Sequence, residues 1–337
     1  MKLKKHYFRF DRVAVIIYTG VTFIKNNNTG QEKLLEKTLN TLLEPHFWIN
    51  AWEEARTKSP GATSMIRSDP EMIDYWNHLA ANYDHAHSSS ERGKRVTVVM
   101  DILQREKLII PEDAVLDIGC GTGNYAIPFA EIGRTVTAVD SSPEMCKQLQ
   151  RKIQKMGFTN ISVLNRFWEE LDLEKEGWLN KFDLAFASMT TAIFDYHTLL
   201  KMIRASKRSC CLIFWAENGF NQVRQDLFRL IFKKDNPGSG LASIIYPFNL
   251  LYSLGYFPKI EFINSGWTST ETADQAIENL CHYFWLYTEI TPRIRKIISD
   301  YVGEKAVNGL LTRETKARLG VVSWNLSGIK EPEKVFK

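Results

Sequence analysis

The stretch that decides the fold is VLDIGCGTGNYA, residues 115–126. It begins as a short apolar run, continues through Gly119, Gly121 and Gly123, and leads into an amphipathic segment. Glycines at alternate positions let the backbone turn sharply out of a strand and let a ligand approach the main chain closely. The helix that follows presents free N–H groups to that ligand. The pattern therefore predicts a strand, a ligand-binding loop and a helix.

Short β-branched segments alternate with amphipathic ones from residue 112 onward. Predicted strands cover 114–118, 135–140, 161–165, 182–189 and 209–215, and looser strand patterns follow at 259–265 and 320–326. This alternation is typical of a parallel sheet covered on both faces. Because crossovers are right-handed, a doubly wound topology is favoured. We predict an α/β fold with a doubly wound, Rossmann-like, mostly parallel seven-stranded sheet.

Helical patterns flank this core on both sides. They predict helices at 31–56, at 70–83 after the Asp69-Pro70 start signal, at 90–104, and at 223–233, 241–254, 272–287 and 292–301. The predicted organisation has four parts: an uncertain N-terminal segment (1–30), N-terminal helices covering the active site (31–110), a Rossmann-like cofactor-binding core (111–218), and helical inserts with the last two strands on the substrate side (219–337). The helical inserts make the connections between the last predicted strands long, and connections of that length usually carry function.

Composition and charge exclude few classes of protein. The 337 residues are 44% hydrophobic, and the net charge of +4 is spread thinly, which disfavours nucleic acid as a partner. Five cysteines without paired spacing predict neither disulfides nor a metal site and favour a reducing cytoplasm. The apolar run 13–24 is too short to span a bilayer and lacks a signal-peptide cleavage site, so we expect no membrane span. The oligomeric state stays open.

Asp117 narrows the identity of the ligand. Residues 121–126 also fit the dinucleotide pattern G-x-G-x-x-A, but a carboxylate at the loop entry would oppose a pyrophosphate by about a few kcal/mol. S-adenosyl-L-methionine has no phosphate and carries a cationic sulfonium and ammonium. Asp140, at the end of the second strand, is placed to accept ribose hydroxyls. The residues therefore favour S-adenosyl-L-methionine, with a nicotinamide-dependent dehydrogenase as a distant alternative.

The same segments resemble the class I S-adenosylmethionine-dependent methyltransferases, close to the type 11 and quinone-biosynthesis enzymes. VLDIGCGTGNYA resembles their motif I, TAVDSSPEMCKQLQRK their second-strand segment, and FDLAFASMTTAIFD their fourth-strand motif. The resemblance covers about residues 70–217. It implies a transferase that uses S-adenosyl-L-methionine and binds the methionine ammonium through Asp117 and the ribose through Asp140.

The resemblance also implies further cofactor-binding residues. Gly119, Gly121 and Gly123 line the methionine and ribose, Ser141 and Met145 flank the adenine, Ser188 and Met189 lie under the transferable methyl group, and Tyr83 covers the cofactor. The remaining candidates are Cys120, Phe167 and Trp168. The family often has an acid near Phe167 and Trp168 that contacts the adenine, and this chain has none there unless Glu169 or Glu170 serves.

A general base is needed only if the methyl acceptor must lose a proton. His85 and His87 are the first catalytic candidates, because the loop after the preceding helix often closes over the active site in this family; His197 and His282 are alternatives. No base-methylation motif is present, so a small-molecule acceptor is favoured. A methyltransferase acting on protein or RNA, and an idle S-adenosylmethionine-binding protein, stay open.

Aromatic residues of the inserts bear on the acceptor. They are Tyr246, Phe248, Trp267, His282, Tyr283 and Trp285. They either line a closed pocket for a planar or apolar molecule or only attach the inserts to the sheet.

Overall fold

The computed structural model describes residues 41–60, 63, 69–81, 83–84, 89–217, 219–236 and 243–326. Predictions for 1–30, for the apolar run 13–24 and for the start of the helix 31–56 lie outside the described residues, as do His85 and His87. No helix within the described ranges combines the length and the apolar character that a bilayer crossing requires.

Helices and strands follow the predicted order. Before the sheet come α1 (Pro45–Lys58), α2 (Asp69–Ala80) and α3 (Ser89–Arg105). The core contains β1 (Ala114–Ile118), α4 (Ala126–Ile132), β2 (Thr135–Asp140), α5 (Pro143–Met156), β3 (Ile161–Asn165), β4 (Phe182–Ser188), α6 (Tyr196–Ala205) and β5 (Ser206–Trp215). After it come β6 (Phe220–Asn221), α7 (Gln222–Phe232), α8 (Ile245–Ser253), β7 (Lys259–Thr272), α9 (Ala273–Trp285), α10 (Pro292–Lys305) and β8 (Leu310–Asn325).

Local signals explain the sharp boundaries of the core helices. Ser142 caps α5 by accepting the Met145 N–H at 3.2 Å, and Gly157 ends the helix in the left-handed conformation. Asp195 and Thr198 form a capping box at the start of α6. Such caps satisfy backbone groups that a helix end leaves unbonded.

The sheet has the order β3-β2-β1-β4-β5-β8-β6, with β7 also paired to β8. Strands β1 to β5 pair in parallel with one another, whereas β8 runs antiparallel to β5, β6 and β7. The doubly wound, mostly parallel architecture is confirmed. The described residues form eight strands rather than the predicted seven, because β6 has only two residues and shows no alternation pattern.

Alternate side chains of the central strands enter two different apolar cores. Leu116 and Leu212 belong to one core, while Val115 and Ile213 belong to the other. Successive strand residues point to opposite faces, so the two cores lie on the two sides of the sheet. Each fully buried aliphatic side chain contributes about 1.5–3 kcal/mol, which explains why these strands are apolar throughout.

Strands β7 and β8 form a hairpin much longer than the predicted segments 259–265 and 320–326. Their register runs without a break from Lys259 opposite Ser323 to Thr272 opposite Leu310. Trp215, the last residue of β5, pairs with Leu319, so the part of β8 before Leu319 extends past the end of β5. The hairpin therefore projects beyond the carboxyl edge of the parallel strands.

Helices α7, α9 and α10 cover this projection and form a third apolar core. Phe228, Phe284 and Ile298 are fully buried there, and Tyr75 of α2 joins them. Helix α2 thus belongs to the insert as well as to the N-terminal helices.

Candidate functional site

The glycine loop after β1 is held against the neighbouring strands. The N–H groups of Gly119 and Cys120 both donate to the Val139 carbonyl, at 2.8 and 3.0 Å. Gly119 has φ +70°, and a Cβ there would lie 1.9 Å from Thr190 Oγ1. A Cβ on Gly121, at φ +53°, would meet no atom within 4 Å. The loop therefore packs tightly at Gly119 and borders open space at Gly121.

Asp117 is a buried carboxyl at the tip of β1. It is 2% exposed, and its Oδ2 has no hydrogen-bond partner among the described residues. Burial, together with the negative charge of Asp140, raises the pKa of Asp117 to about 8, although the backbone N–H of Ala126 opposes the shift. An orphaned buried carboxyl oxygen is costly unless a ligand donates to it. Its chemistry suits a cationic donor such as an ammonium group.

Asp140 is fixed in place by two backbone donors. Its Oδ2 accepts the Gly121 N–H and its Oδ1 accepts the Ser142 N–H, both at 2.8 Å. Burial raises the pKa of Asp140, and these two N–H groups oppose the shift. Each carboxylate oxygen can accept a second hydrogen bond. The orientation of this side chain is therefore set before any ligand donates to it.

Two residues that the sequence did not single out attach α2 and its following turn to the site. The Ser142 hydroxyl lies 2.7 Å from Asn77 Oδ1. The Thr122 hydroxyl donates to Asp84 at 2.8 Å, and Lys152 pairs with the same carboxylate at 2.6 Å. Helix periodicity gives no signal for such contacts, because Asn77 and Asp84 are polar residues whose partners lie far along the chain.

The end of β4 forms the wall facing the glycine loop. Ser188 and Met189 are half-buried there. Met189 has φ +52°, and its N–H donates to the Ile213 carbonyl at 2.9 Å. A non-glycine residue in the left-handed region costs about 1–2 kcal/mol, and such strain clusters at functional sites.

The other predicted cofactor residues occupy different environments. Cys120 and Met145 are buried, whereas Tyr83, Ser141 and Phe167 are half-buried. Trp168 is 2% exposed, and its indole N–H donates to the Thr198 carbonyl at 3.1 Å. Glu169 and Glu170 are both exposed. The five cysteines are all buried free thiols.

Histidine and aromatic residues join α2 to α9. The His282 ring stacks on Tyr75, with 5.0 Å between centroids, and on His78, with 4.0 Å. Burial, and then the charge of His78, lowers the pKa of His282. His197, the other described candidate base, is exposed on α6.

The six aromatic candidates of the inserts do not form one group. Tyr246 and Phe248 pack on the sheet core, and Trp267 lies 6.3 Å from Trp215. Tyr283 and Trp285 belong to the insert core, and His282 lies at the contact between α2 and α9.

Residues 115–210 match the family model described as a methyltransferase domain. A Haemophilus influenzae protein described as uncharacterized is 25% identical over 65% of this chain and 78% of its own length. The 23S rRNA (uracil(1939)-C(5))-methyltransferase RlmD of Shewanella sediminis is 40% identical over 73 residues, which are 22% of this chain and 16% of that protein. The match to RlmD is thus confined to one short segment.

Solved structures give a distant likeness. Magnesium protoporphyrin IX methyltransferase from Synechocystis, with bound SAH, has a TM-score of 0.42 and 14% identity, covering 74% of this chain and 94% of that one. A SAM-dependent methyltransferase from Aquifex aeolicus has a TM-score of 0.38 and 16% identity, covering 75% and 99%.

The matched segment contains the glycine loop, Asp117 and Asp140. Residues 115–210 therefore carry a methyltransferase domain, and S-adenosyl-L-methionine is its cofactor.

Proposed function

We propose that this protein transfers a methyl group from S-adenosyl-L-methionine to a small-molecule acceptor held between the carboxyl edge of the sheet and the helical insert. The supporting observation is the position of α2. On one side Asn77 bonds to Ser142 beside Asp140, and on the other side Tyr75 and His78 stack against α9. Helix α2 thus connects the start of α5, beside Asp140, with the insert, and this arrangement favours an enclosed acceptor site.

The residues at the carboxyl edge fit the cofactor. Asp117 offers the methionine ammonium an otherwise unpartnered buried oxygen. Asp140, held by Gly121 and Ser142, has acceptor capacity for two ribose hydroxyls. Open space at Gly121 leaves room for a ligand against the main chain. We assign the adenine side to Ser141, Met145, Phe167 and Trp168, the methyl side to Ser188 and Met189, and the cover to Tyr83.

S-adenosyl-L-methionine supplies a methyl group that its sulfonium already activates. The task of the protein is then alignment and exclusion of water, and good alignment is worth about 7–11 kcal/mol in intramolecular reactions. Met189, fixed by its hydrogen bond to Ile213, would provide a rigid floor. Helix α2 would limit the access of water to the bound cofactor.

His85 and His87 remain the proposed bases for an acceptor that must lose a proton. The changes His85→Gln and His87→Gln together should lower turnover and leave the affinity for S-adenosylhomocysteine unchanged. His282 is the alternative, because its lowered pKa keeps the imidazole neutral near pH 7. Unchanged turnover in the double variant would transfer the role to His282.

Calorimetric titration with S-adenosylhomocysteine tests the cofactor site. Asp140→Asn should weaken binding about 10-fold or more, because a charged acceptor of two hydroxyls is lost. Asp183→Asn is the matched control: Asp183 also accepts a backbone N–H, that of Ala114 at 2.9 Å, but at the opposite end of the sheet. Equal affinities in the two variants would refute the assignment of Asp140.

Transfer of a labelled methyl group identifies the acceptor class. A cell extract is separated into an ultrafiltrate of small molecules, an RNA fraction and a protein fraction, and each is incubated with the enzyme. Label in the ultrafiltrate supports the proposal. Label in RNA would favour the second candidate, which the short match to RlmD supports, and label in protein would equally overturn a small-molecule acceptor. Binding without any transfer would indicate an idle S-adenosylmethionine-binding protein.

A further inference from the structure

Two arginines lie inside the insert with incomplete hydrogen bonding. Arg313 of β8 is 8% exposed and Arg224 of α7 is half-buried. The Nε atoms of both are buried and lack a hydrogen-bond partner among the described residues. Buried donors in native proteins are nearly always satisfied, so each of these two groups has a hydrogen bond to offer to a ligand.

Arg313 already has a counter-ion within the protein. It pairs with Glu271 on the neighbouring strand, and the side chains of both are 9% exposed. The second oxygen of Glu271 accepts a hydrogen bond from Asn279 of α9. Arg313 and Glu271 therefore form a closed pair with no net charge.

Arg224 has no such counter-ion. Its guanidinium lies 4.0 Å from the centre of the Tyr283 ring, and among the described residues no carboxylate comes within ion-pair distance of it. Asp226, two residues away, is engaged by the Tyr301 hydroxyl at 2.8 Å and by Gln222 at 2.6 Å. Both donors to Asp226 are neutral, so its negative charge remains nearby, but its oxygens bond to Tyr301 and Gln222 and not to Arg224.

The segments that carry the two arginines are bonded to each other: Asn221, three residues before Arg224, donates to Thr315, two residues after Arg313, at 2.9 Å. Burial lowers the pKa of Arg313, Glu271 opposes this shift, and the charge of Arg224 adds to it. Placing a second cation near a buried one is unfavourable unless an anion is present. An arrangement of this kind is suited to binding an anionic ligand.

The cluster also lies on the acceptor side of the molecule. Tyr75 belongs to the same apolar core as Tyr283, the ring on which Arg224 lies, and it lies two residues from Asn77, which bonds beside Asp140. Arg313 stands six residues before Leu319, about 20 Å along the strand past the end of β5.

We propose that Arg224 and Arg313 bind a carboxylate group of the methyl acceptor. Guanidinium groups bind planar carboxylates with paired hydrogen bonds. The aromatic surface of Tyr75 and Tyr283 would contact the rest of the molecule. This inference rests on the proposed small-molecule methyltransferase function and specifies its substrate class.

The test uses the full chain saturated with S-adenosylhomocysteine. It is titrated with acetate, benzoate and indole-3-acetate, with the neutral amide of each, and with phenyl phosphate. At least one carboxylate should bind about 10-fold more tightly than its amide. This preference should disappear in Arg224→Gln and persist in Arg229→Gln, a matched control on the exposed side of α7, where Arg229 pairs with Asp235 at 2.6 Å.

A second variant distinguishes a specific loss of carboxylate binding from a loss of folding. The double change Arg313→Gln and Glu271→Gln removes the pair without leaving a buried lone charge, and it should also weaken carboxylate binding. If no carboxylate binds better than its amide, or if Arg224→Gln binds like Arg229→Gln, the inference is wrong. If phenyl phosphate binds more tightly than every carboxylate, the site binds a phosphate group and the inference of a carboxylate is wrong. If the wild type does not bind S-adenosylhomocysteine, the proposed function is refuted instead. The carboxylates and their amides are then titrated without S-adenosylhomocysteine, which still tests the role of the two arginines.

Discussion

Strands β4 and β8 belong to one sheet but bury different kinds of side chain. In β4 every residue from Leu184 to Ala187 is buried and apolar. In the projecting part of β8, Leu311, Arg313 and Thr315 are the buried residues and their neighbours are exposed. The first strand is held by apolar burial on both faces. The second buries polar groups that need specific partners.

The difference teaches where each region derives its specificity. Apolar burial is non-directional, so β4 needs only the right volume and pattern. Arg313 and Thr315 need particular acceptors and donors: Arg313 pairs with Glu271, and Thr315 accepts from Asn221 at 2.9 Å. Polar burial of this kind contributes little net stability but fixes geometry, which suits a region that we propose recognises a substrate.

Breaking the buried pair should give the largest effect. Glu271→Leu leaves Arg313 buried without a counter-ion, and we expect a loss of about 3–5 kcal/mol in the free energy of unfolding. Adding Arg313→Leu should recover most of that loss, because no charge is then left unpaired. Urea unfolding of the single and double variants measures both values. A single variant that loses less than about 1 kcal/mol would show that the polar face of the hairpin tolerates an unpaired charge.

Gly119→Ala should give the next largest loss in the free energy of unfolding. Its Cβ would lie 1.9 Å from Thr190 Oγ1, and its φ of +70° is unfavourable for alanine, so we expect a loss of about 3 kcal/mol. Gly121→Ala is the control, since it shares the left-handed φ but meets open space. It should lose only about 1–2 kcal/mol while weakening binding of S-adenosylhomocysteine. Equal unfolding free energies would contradict the tight packing at Gly119.

Asp117 should make cofactor binding depend on pH. Its pKa of about 8 means that the free carboxyl is protonated at pH 7, and it must ionise to pair with an ammonium group. The affinity for S-adenosylhomocysteine should therefore rise about 10-fold per pH unit up to about pH 8. Asp117→Asn should bind weakly and without this slope. Calorimetry across the pH range gives both profiles, and a slope retained in the variant would exclude Asp117 as its source.

The same carboxyl sets the sign of a stability change in the ligand-free protein. Between pH 3.8 and about 8 the folded state keeps a proton that the unfolded state releases. The contribution of Asp117 to the free energy of unfolding therefore falls as the pH rises through this window.

His282 should give the smallest effect, with the opposite sign. Its pKa is lowered in the folded state by burial and by His78, so the unfolded state takes up the proton first as the pH falls. The free energy of unfolding should decrease modestly below about pH 6.5. His282→Gln should remove this part of the decrease. A pH series of melting temperatures that is the same in wild type and variant would show that the contact between α2 and α9 is insensitive to the charge of His282.

The core was predictable because its signals are local. Strands β1, β2 and β3 have the bounds that their patterns predict, since each carries its own apolar run. The position of Asp117 beside the glycine loop follows directly from the order of the residues. The orphaned Asp117 oxygen and the two N–H groups on Asp140 did not follow from the sequence, because both depend on how neighbouring segments meet.

The hairpin was predicted too short for a physical reason. Hydrophobic alternation identifies a half-buried strand only when its buried face is apolar. Here the buried face of the projecting part carries Ser269, Glu271, Arg313 and Thr315. A search for alternating apolar residues therefore does not detect this part of the strands.

The sequence by itself determined the doubly wound core, the glycine loop and the class of cofactor, because these depend on backbone geometry and apolar periodicity over a few residues. The tertiary structure alone decided which distant polar groups meet. Arg313 and Glu271 lie 42 residues apart and Ser142 and Asn77 lie 65 apart, and no local pattern encodes either contact. Burying a polar group is favourable only beside its partner, so the location of such residues becomes defined only when the whole chain has folded.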